Sequence, residues 1–533
     1  MNILLINLTL FGDLLQSRAL VRDLVDQGHR VGMVCLENFA AAARLLPDIA
    51  HVAPLPGSAL LRESAAEPAP AARRWPLAFS ALESWRCDLE RDFPYEDVRN
   101  LTATVSARLL CGLLARSRPV TGFALDAEGF ALNTNPWSAF TLGSTLVRGN
   151  SPFNIVDLFR RMGQDAAIAR GLRAPGAADL NRPDATAEQT AEEFLRSEAP
   201  AEYAGFVGLQ LGASRDERRL PTATFAELGG LLWEKHRLCS VLLGHASELP
   251  LVERYALKAK HPFISLCGRT DLKQLAASLT RLRLLVSNDT GTLHLAAGLG
   301  TPILGVYLAT AQPFDTGPYR GGSCTVEPDL PCHPCPFGRP CPNVFACREH
   351  IPASTLFALA DAFLNTGRWP TGTAPGARVW LSTFDEHGFM DLRSLSGHER
   401  EDRTRWMALQ RPLLRQFIDS DPQRPFAPEA FFAPSVGPGS PLFSKELDEA
   451  VMLAELLAGQ AELLLVRPLP TVRDKLTTTI RRMRHLLEDH PHLAALSILF
   501  AQYGEVHDPR ELPTPLKNFH TLIKALRDNA ISI

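Results

Sequence analysis

Residues 287–302, Ser-Asn-Asp-Thr-Gly-Thr-Leu-His-Leu-Ala-Ala-Gly-Leu-Gly-Thr-Pro, constrain the fold more than any other stretch of this chain. An apolar run at 282–286 precedes them and reads as a strand, and a second at 303–308 follows at once. Between the two lie a polar turn, Asp289-Thr290-Gly291, and a small-residue helix that must end near Gly300-Thr301-Pro302. In a parallel sheet such a turn stands at the carboxyl end of a strand, where open α/β sheets bind ligands. A helix N-terminus offers unpaired N–H groups and partial positive charge, which suit a phosphate. Asp289 or Thr290 is expected to cap this helix, and Gly291 to let the backbone come close to a ligand. Thr290 and His294, four residues apart, share one helix face.

The same rhythm runs through two stretches of the chain. The first reads as strand 2–8, helix 14–27, strand 30–35, helix 39–46, strand 51–54 and helix 98–114, with a mobile low-complexity loop at 63–72. A mostly helical, polar connection at 163–200 leads to the second: strand 205–211, helix 225–236, strand 238–243, helix 251–260, strand 263–266 and helix 272–280. A Pro/Gly linker at 365–376 follows, then a hairpin from 377–384 and 389–395. Helices are expected at 403–417, 445–466 and 472–488, with a Pro/Gly-rich segment at 431–441 between the first two. The 533 residues exceed a single core. They divide into α/β domains at 1–175 and 200–365 and a mainly helical extension at 377–533.

A net charge of −3 gives no general attraction to nucleic acid. No apolar run approaches the roughly 18 residues a membrane span requires. The apolar first ten residues carry no preceding basic segment and are broken by Gly12-Asp13, so they read as a strand rather than a signal peptide, and a cytoplasmic location follows as an expectation. In that compartment the 10 cysteines are thiols or metal ligands. Four of them, Cys332, Cys335, Cys341 and Cys347, are spaced C-x2-C-x5-C-x5-C within a Pro- and Gly-rich loop at 324–347. Four such thiolates can enclose one tetrahedral metal with no open position, a structural iron or zinc. Cys324 and His333 are further candidate ligands, and a set of free thiols is the alternative.

Other polar residues stand after strands. Gly12-Asp13 closes the first strand, Leu211-Gly-Ala-Ser-Arg-Asp-Glu-Arg-Arg-Leu-Pro221 follows the first strand of the second domain, and Leu242-Leu-Gly-His-Ala-Ser-Glu248 and Gly268-Arg-Thr-Asp-Leu272 follow later ones. With the 287–302 run, these motifs resemble glycosyltransferase family 9, the ADP-heptose:lipopolysaccharide heptosyltransferases. The resemblance covers roughly the first two-thirds of the chain. It implies a GT-B fold, two doubly wound Rossmann-like domains facing a cleft, and transfer of a heptose or similar sugar from an ADP-sugar with inversion.

The resemblance also implies roles. Asp13 would be the catalytic base, worth roughly 10²–10⁴-fold in rate. Arg218, Thr290, Gly291 and His294 would hold the leaving diphosphate, with Ser214 and Thr292 as weaker donor contacts. Glu248 would bind the ribose, and Asp289 would fix the loop or meet sugar hydroxyls. No cofactor is expected at the catalytic centre, because the helix N-terminus and Arg218 supply positive field. The chain departs from the family pattern at Asn7, where Lys or Arg is usual, and at Ser17 and Arg18, where Thr and Pro are common.

A lipopolysaccharide-core glycan, lipid-linked or otherwise, is the expected acceptor, with peripheral contact at the inner membrane and homo-oligomers as further expectations. A protein acceptor is the alternative, since the cysteine cluster is closer to the autotransporter heptosyltransferases, whose four cysteines hold iron. A non-catalytic nucleotide-sugar-binding assembly protein is the alternative of another class.

Overall fold

The computed structural model describes residues 1–58, 60, 71–146, 151–164, 174, 176, 179–429, 442–490, 492–503 and 509–532. Most of the expected loop at 63–72 and the segment expected at 431–441 lie outside the described residues. Two compact units emerge. The first comprises Met1–Asn135, Asn154–Cys335 and Arg339–Ser396; the second comprises Pro136–Phe153, Pro336–Gly338 and Gly397–Ile533.

The first unit holds two sheets. β1 (Asn2–Asn7), β2 (Arg30–Leu36), β3 (His51–Leu55), β4 (Asp97–Asn100), β5 (Val120–Leu125) and β6 (Ala131–Asn133) form a sheet of order β3-β2-β1-β4-β5-β6, parallel except for β6. β7 (Gly205–Gln210), β8 (Leu238–Leu243), β9 (Phe263–Ser265), β10 (Leu284–Asn288), β11 (Ile303–Val306), β12 (Cys324–Pro328), β13 (Ala377–Phe384) and β14 (Met390–Ser394) form the other, of order β14-β13-β12-β11-β10-β7-β8-β9. There β13 and β14 are the expected hairpin, paired antiparallel with β12 and with each other. The central strands are buried on both faces, with Leu4, Ile6 and Val34 in one core and Val207, Leu242, Val286 and Leu304 in the other.

Strand order reverses between β1 and β4 in the first sheet and between β7 and β10 in the second. In open α/β sheets these switch points leave crevices beyond the strand ends. Gly12-Asp13 follows β1, the 211–221 loop follows β7, and Asp289-Thr290-Gly291 follows β10, so every motif singled out around the diphosphate lies at a crevice.

The expected loop at 324–347 begins as strand β12, the helix Ala71–Asp92 was not expected, and two expected helices take another form. The helix expected at 98–114 is strand β4 followed by a helix at Val105–Ala115. The strand is masked in sequence by charge: buried Arg99 donates to Asp97 Oδ2 at 2.9 Å and to the Gly163 carbonyl, so its guanidinium needs no water. The helix expected at 14–27 breaks into Phe11–Gln16 and Arg18–Asp26, because the Ser17 hydroxyl and N–H both bond the Leu14 carbonyl, at 2.6 and 3.1 Å.

The segment before Ala185 ties the two sheets' domains together. Asp179 and Leu180 N–H groups both donate to Gly298 O at 3.0 Å, and Asn181 reaches the carbonyls of Leu45 and Leu46. Arg18 is fully buried beside them, its Nε 2.5 Å from Asp179 Oδ1 and its Nη2 donating to Tyr319 O at 2.7 Å.

The second unit is helical: Pro136–Leu146, Asp402–Ile418, Ser444–Val466, Pro470–Asp489, Ala494–Tyr503 and Pro513–Ser532. The last two long helices, and the recruitment of Pro136–Leu146, go beyond the three helices expected from sequence. Trp406, Leu447, Leu457, Met483 and Phe519 are buried within it. Asp419, which with Asp421 has the spacing of a metal-binding Asp-x-Asp, instead accepts from the Trp137 indole at 2.8 Å. Among the described residues no helix is long and apolar enough to cross a membrane.

Candidate active site

The helix Gly291–Leu299 starts with Thr290 as its N-cap, in extended conformation, and with no side-chain cap. The expected capping by Asp289 or Thr290 does not occur. The Thr290 hydroxyl lies 3.2 Å from the Ser287 hydroxyl instead. The first-turn N–H groups therefore remain uncapped by side chains, which favours an anion there. The helix ends as expected at Gly300, whose φ of +83° only glycine adopts readily.

A cleft of about 570 Å³ opens at these N–H groups. Asp289, Thr290, Gly291 and Thr292 line one side, Ser214 and Gln210 a second, and Glu248 with Gly268, Thr270 and Asp271 a third. Phe11, from the turn after β1, also lines it. The sequence-expected donor residues Ser214, Glu248, Asp289, Thr290, Gly291 and Thr292 are thus brought together.

Each is held for an identifiable reason. Glu248 Oε2 accepts from His245 N–H at 2.9 Å and from Gln210 Nε2 at 3.2 Å. Its carboxylate packs so tightly on Gly212 that a methyl there would fall 1.4 Å from Oε1. Asp271 caps the helix Leu272–Leu279, accepting from Gln274 N–H at 2.8 Å. Arg218 is buried; its Nε donates to Thr310 Oγ1 at 2.8 Å, and Nη1 stands 3.8 Å from Asp289 Oδ2. Asp289 therefore sits between Arg218 and His294, whose Nε2 is 3.9 Å from Oδ1.

His294 does not line the cleft. It is buried one turn into its helix, with Gln16 Nε2 at 2.9 Å from its Nε2 and 3.1 Å from its Nδ1. Burial, reinforced by the nearby Arg18 charge, pushes its imidazole down to about 3. At neutral pH it is an uncharged hydrogen-bonding group, not a cation for phosphate. Asp13 lies in the first turn of the Phe11–Gln16 helix, half-buried, where Leu10 rather than Asp13 occupies the N-cap. Gly12 beside it meets the Gly291–Leu299 helix directly: a Cβ on Gly12 would be 3.3 Å from Gly291 Cα and from His294 Cδ2. The turn itself is set by buried Asn7, whose Oδ1 accepts from Thr9 N–H at 3.1 Å.

Sequence reasoning passed over Asn288. Its Oδ1 accepts from Leu220 N–H at 3.0 Å, and its Nδ2 donates to the carbonyls of Leu211 and Gly212 at 3.0 and 3.1 Å. One fully buried side chain thereby clamps the whole 211–220 loop, and with it Ser214 and Arg218, onto β10. An asparagine closing an apolar strand was the available signal, since a buried amide needs partners.

The four loop cysteines form one patch. Burial pushes the Cys335 thiol up to about 11, with further contributions from Cys347, Cys341 and Cys332. Phe345 N–H donates to Cys341 Sγ at 3.3 Å. Among the described residues no three of these sulfurs are within 4.8 Å of one another. The thiol chemistry and sequence spacing are those of a tetrahedral ion, but the four sulfurs are not gathered at coordination distance.

Residues 167–343 match the profile of glycosyltransferase family 9 (heptosyltransferase). Lipopolysaccharide core heptosyltransferase OpsX of Haemophilus influenzae is 38% identical over 73 residues, 14% of this chain and 21% of that protein. Lipooligosaccharide heptosyltransferase 2 of Haemophilus ducreyi is 32% identical over 120 residues, 21% of this chain and 34% of that protein. The chain thus aligns with well under two-thirds of these relatives' length. Its fold is similar to that of E. coli ADP-heptose lps heptosyltransferase II, with a TM-score of 0.50 and 17% identity over 69% of this chain and 99% of that one.

Proposed function

We propose, for a chain whose residues 167–343 match glycosyltransferase family 9, a glycosyltransferase activity: transfer of a heptose-type sugar from an ADP-sugar to a lipopolysaccharide-core acceptor, with inversion. The observation that carries this reading is the contact of Gly12 with Gly291, which sets the turn bearing Asp13 against the uncapped helix N-terminus.

In this reading the diphosphate binds at the N–H groups of Gly291 and Thr292, with the Thr290 hydroxyl and Arg218 as further donors. Glu248 accepts from the ribose hydroxyls, since a carboxylate with two oxygens suits a diol, and Ser214, which lines the cleft, is a further hydroxyl contact. Asp13 takes the proton of the acceptor hydroxyl as that oxygen attacks the anomeric carbon. The C–O bond to the diphosphate breaks, and ADP leaves with the electron pair and its charge held by the helix N-terminus and Arg218. A single displacement inverts the anomeric centre. His294 stays neutral and bonds Gln16 rather than binding phosphate through charge.

The cysteine patch supports a second reading of the acceptor, a protein, with the four thiols holding one structural iron or zinc ion that secures the loop. Mass spectrometry of acceptors incubated with ADP-heptose tests both. A heptose-sized mass increase on a lipopolysaccharide-core acceptor supports the first reading, and one on a polypeptide the second. Absence of transfer to either, with ADP-heptose left intact, would sink the enzymatic reading and leave the assembly protein.

A further inference from the structure

The turn 309–311 after β11 is gripped from both sides. On one side the cysteine-rich loop holds its backbone: Cys335 N–H donates to Ala309 O at 2.8 Å, and His333 Nε2 is 3.1 Å from Ala311 O. On the other side Thr310, between those two alanines, receives the Arg218 Nε–H at 2.8 Å. Ala309 keeps a left-handed φ of +54°, a conformation that a residue with a Cβ holds only when its surroundings impose it. A second link runs in parallel. Arg348, directly after Cys347, donates through Nε to Arg219 O at 3.0 Å and through Nη1 to Asp216 Oδ2 at 3.1 Å. Both acceptors flank Arg218 in the loop after β7. The side chain and the backbone of Arg218 are therefore each tied to the cysteine-rich loop by a separate hydrogen-bonded route.

We propose that Thr310 and Arg348 are positioning residues through which the cysteine-rich loop sets the guanidinium of Arg218 at the nucleoside-diphosphate site. This rests on the reading above that Arg218 binds the diphosphate. Neither residue lines the cleft, and Arg218 itself stands behind the lining residue Asp289, its Nη1 3.8 Å from Asp289 Oδ2. Each acts through Arg218, by fixing its Nε on one side and the main chain beside it on the other, so that the guanidinium is oriented before ligand arrives. Pre-orientation of this kind appears as affinity, because the ordering cost is met during folding.

The test is a double-mutant cycle on ADP affinity, measured by calorimetry on the full chain, with melting temperature recorded for each variant. Arg218→Ala, Arg348→Ala, Thr310→Val and each double with Arg218→Ala are compared with the unmodified protein. The expected result is a loss of about fivefold in ADP affinity for Arg348→Ala and for Thr310→Val. Each double should lose no more than Arg218→Ala alone, because the positioning residues have nothing left to position. Arg348→Lys, which cannot reproduce the two-point contact, should keep the melting temperature better than Arg348→Ala yet still lose affinity. Full ADP affinity in Arg348→Ala and Thr310→Val, with Arg218→Ala impaired, overturns the positioning roles and leaves the site reading standing. Full affinity in Arg218→Ala overturns the site reading and the positioning roles with it. Losses that add in the doubles overturn action through Arg218. If Arg348→Ala fails to fold, Thr310→Val and Arg348→Lys decide the matter.

Discussion

Gly291 and Phe11 are in mutual contact across the two α/β domains: a Cβ on Gly291 would lie 2.2 Å from Phe11 Cδ1 and 3.4 Å from Gly12 N. Glycine is required there for space, since its φ is unexceptional and no left-handed conformation is involved. Gly291→Ala must displace the Phe11 ring, and overpacking of this kind costs about 1–3 kcal/mol. The expected outcome is a modest fall in melting temperature and at least about a tenfold fall in transfer rate, because a shift near 1 Å at reacting groups is costly. Steady-state kinetics beside thermal melting check it; unchanged kinetics would show that the contact does not set the site.

Asp13→Asn removes the proposed base and keeps the side chain's shape. Transfer should fall by about 10²–10⁴-fold, while ADP binding stays within about twofold, because in the proposed reading Asp13 meets the acceptor hydroxyl rather than the nucleotide. Turnover near the unmodified rate excludes Asp13 as the base.

His294 makes stability depend on acidity. Its imidazole is pushed down to about 3 in the folded chain by burial and by Arg18, against an ordinary value near 6.5. Below 6.5 the unfolded chain binds a proton that the folded chain refuses, so the stabilising effect of neutral His294 is present above pH 6.5 and declines as pH falls towards 3. The slope is on the order of 1.4 kcal/mol per pH unit at most for one group. His294→Gln should flatten the loss of stability between pH 6.5 and 4 relative to the unmodified protein, and denaturant titrations across that range measure the difference.

Arg18→Met removes the ion-pair partner of buried Asp179. Burial raises the Asp179 carboxyl pKa, and Arg18 opposes that shift. Breaking such a pair from one side costs about 3–5 kcal/mol. The melting temperature should drop by several degrees, and Arg18→Met with Asp179→Leu should recover much of it. Equal stability of single and double variants would remove the pair from the account.

Purified protein should carry one equivalent of iron or zinc at the cysteine patch, and Cys335→Ser should lose it together with part of its thermal stability. Elemental analysis reads the metal directly; a metal-free protein that melts identically with and without chelator counts against a structural ion.

Much of the fold was legible because its signals are local. β8 and β13 occupy 238–243 and 377–384 as read from their apolar runs, and the turn, helix and stop at Asp289, Gly291 and Gly300 follow from turn chemistry within a dozen residues. β4 was not legible: Asp97 and Arg99 look solvated in sequence and become strand residues only because they neutralise each other in the interior. The same limit applied to the site. Glu248 and Arg218 were singled out through the family resemblance, and of the two only Glu248 lines the cleft, while Asn288, Gln16 and Arg348 went unremarked, since a lone amide or arginine in sequence does not disclose its partner.

The sequence by itself determined two doubly wound domains, a hairpin, a helical region and a phosphate-type loop, because periodicity and turn preference act over a few neighbouring residues. Tertiary structure alone decided that Gln16 meets His294 across 278 residues and that Arg348 reaches the carbonyl of Arg219 across 129. The physical reason is desolvation. Once a polar group is buried it must be satisfied by whichever partner the packed chain brings near, and that partner is set by three-dimensional proximity rather than by position along the chain.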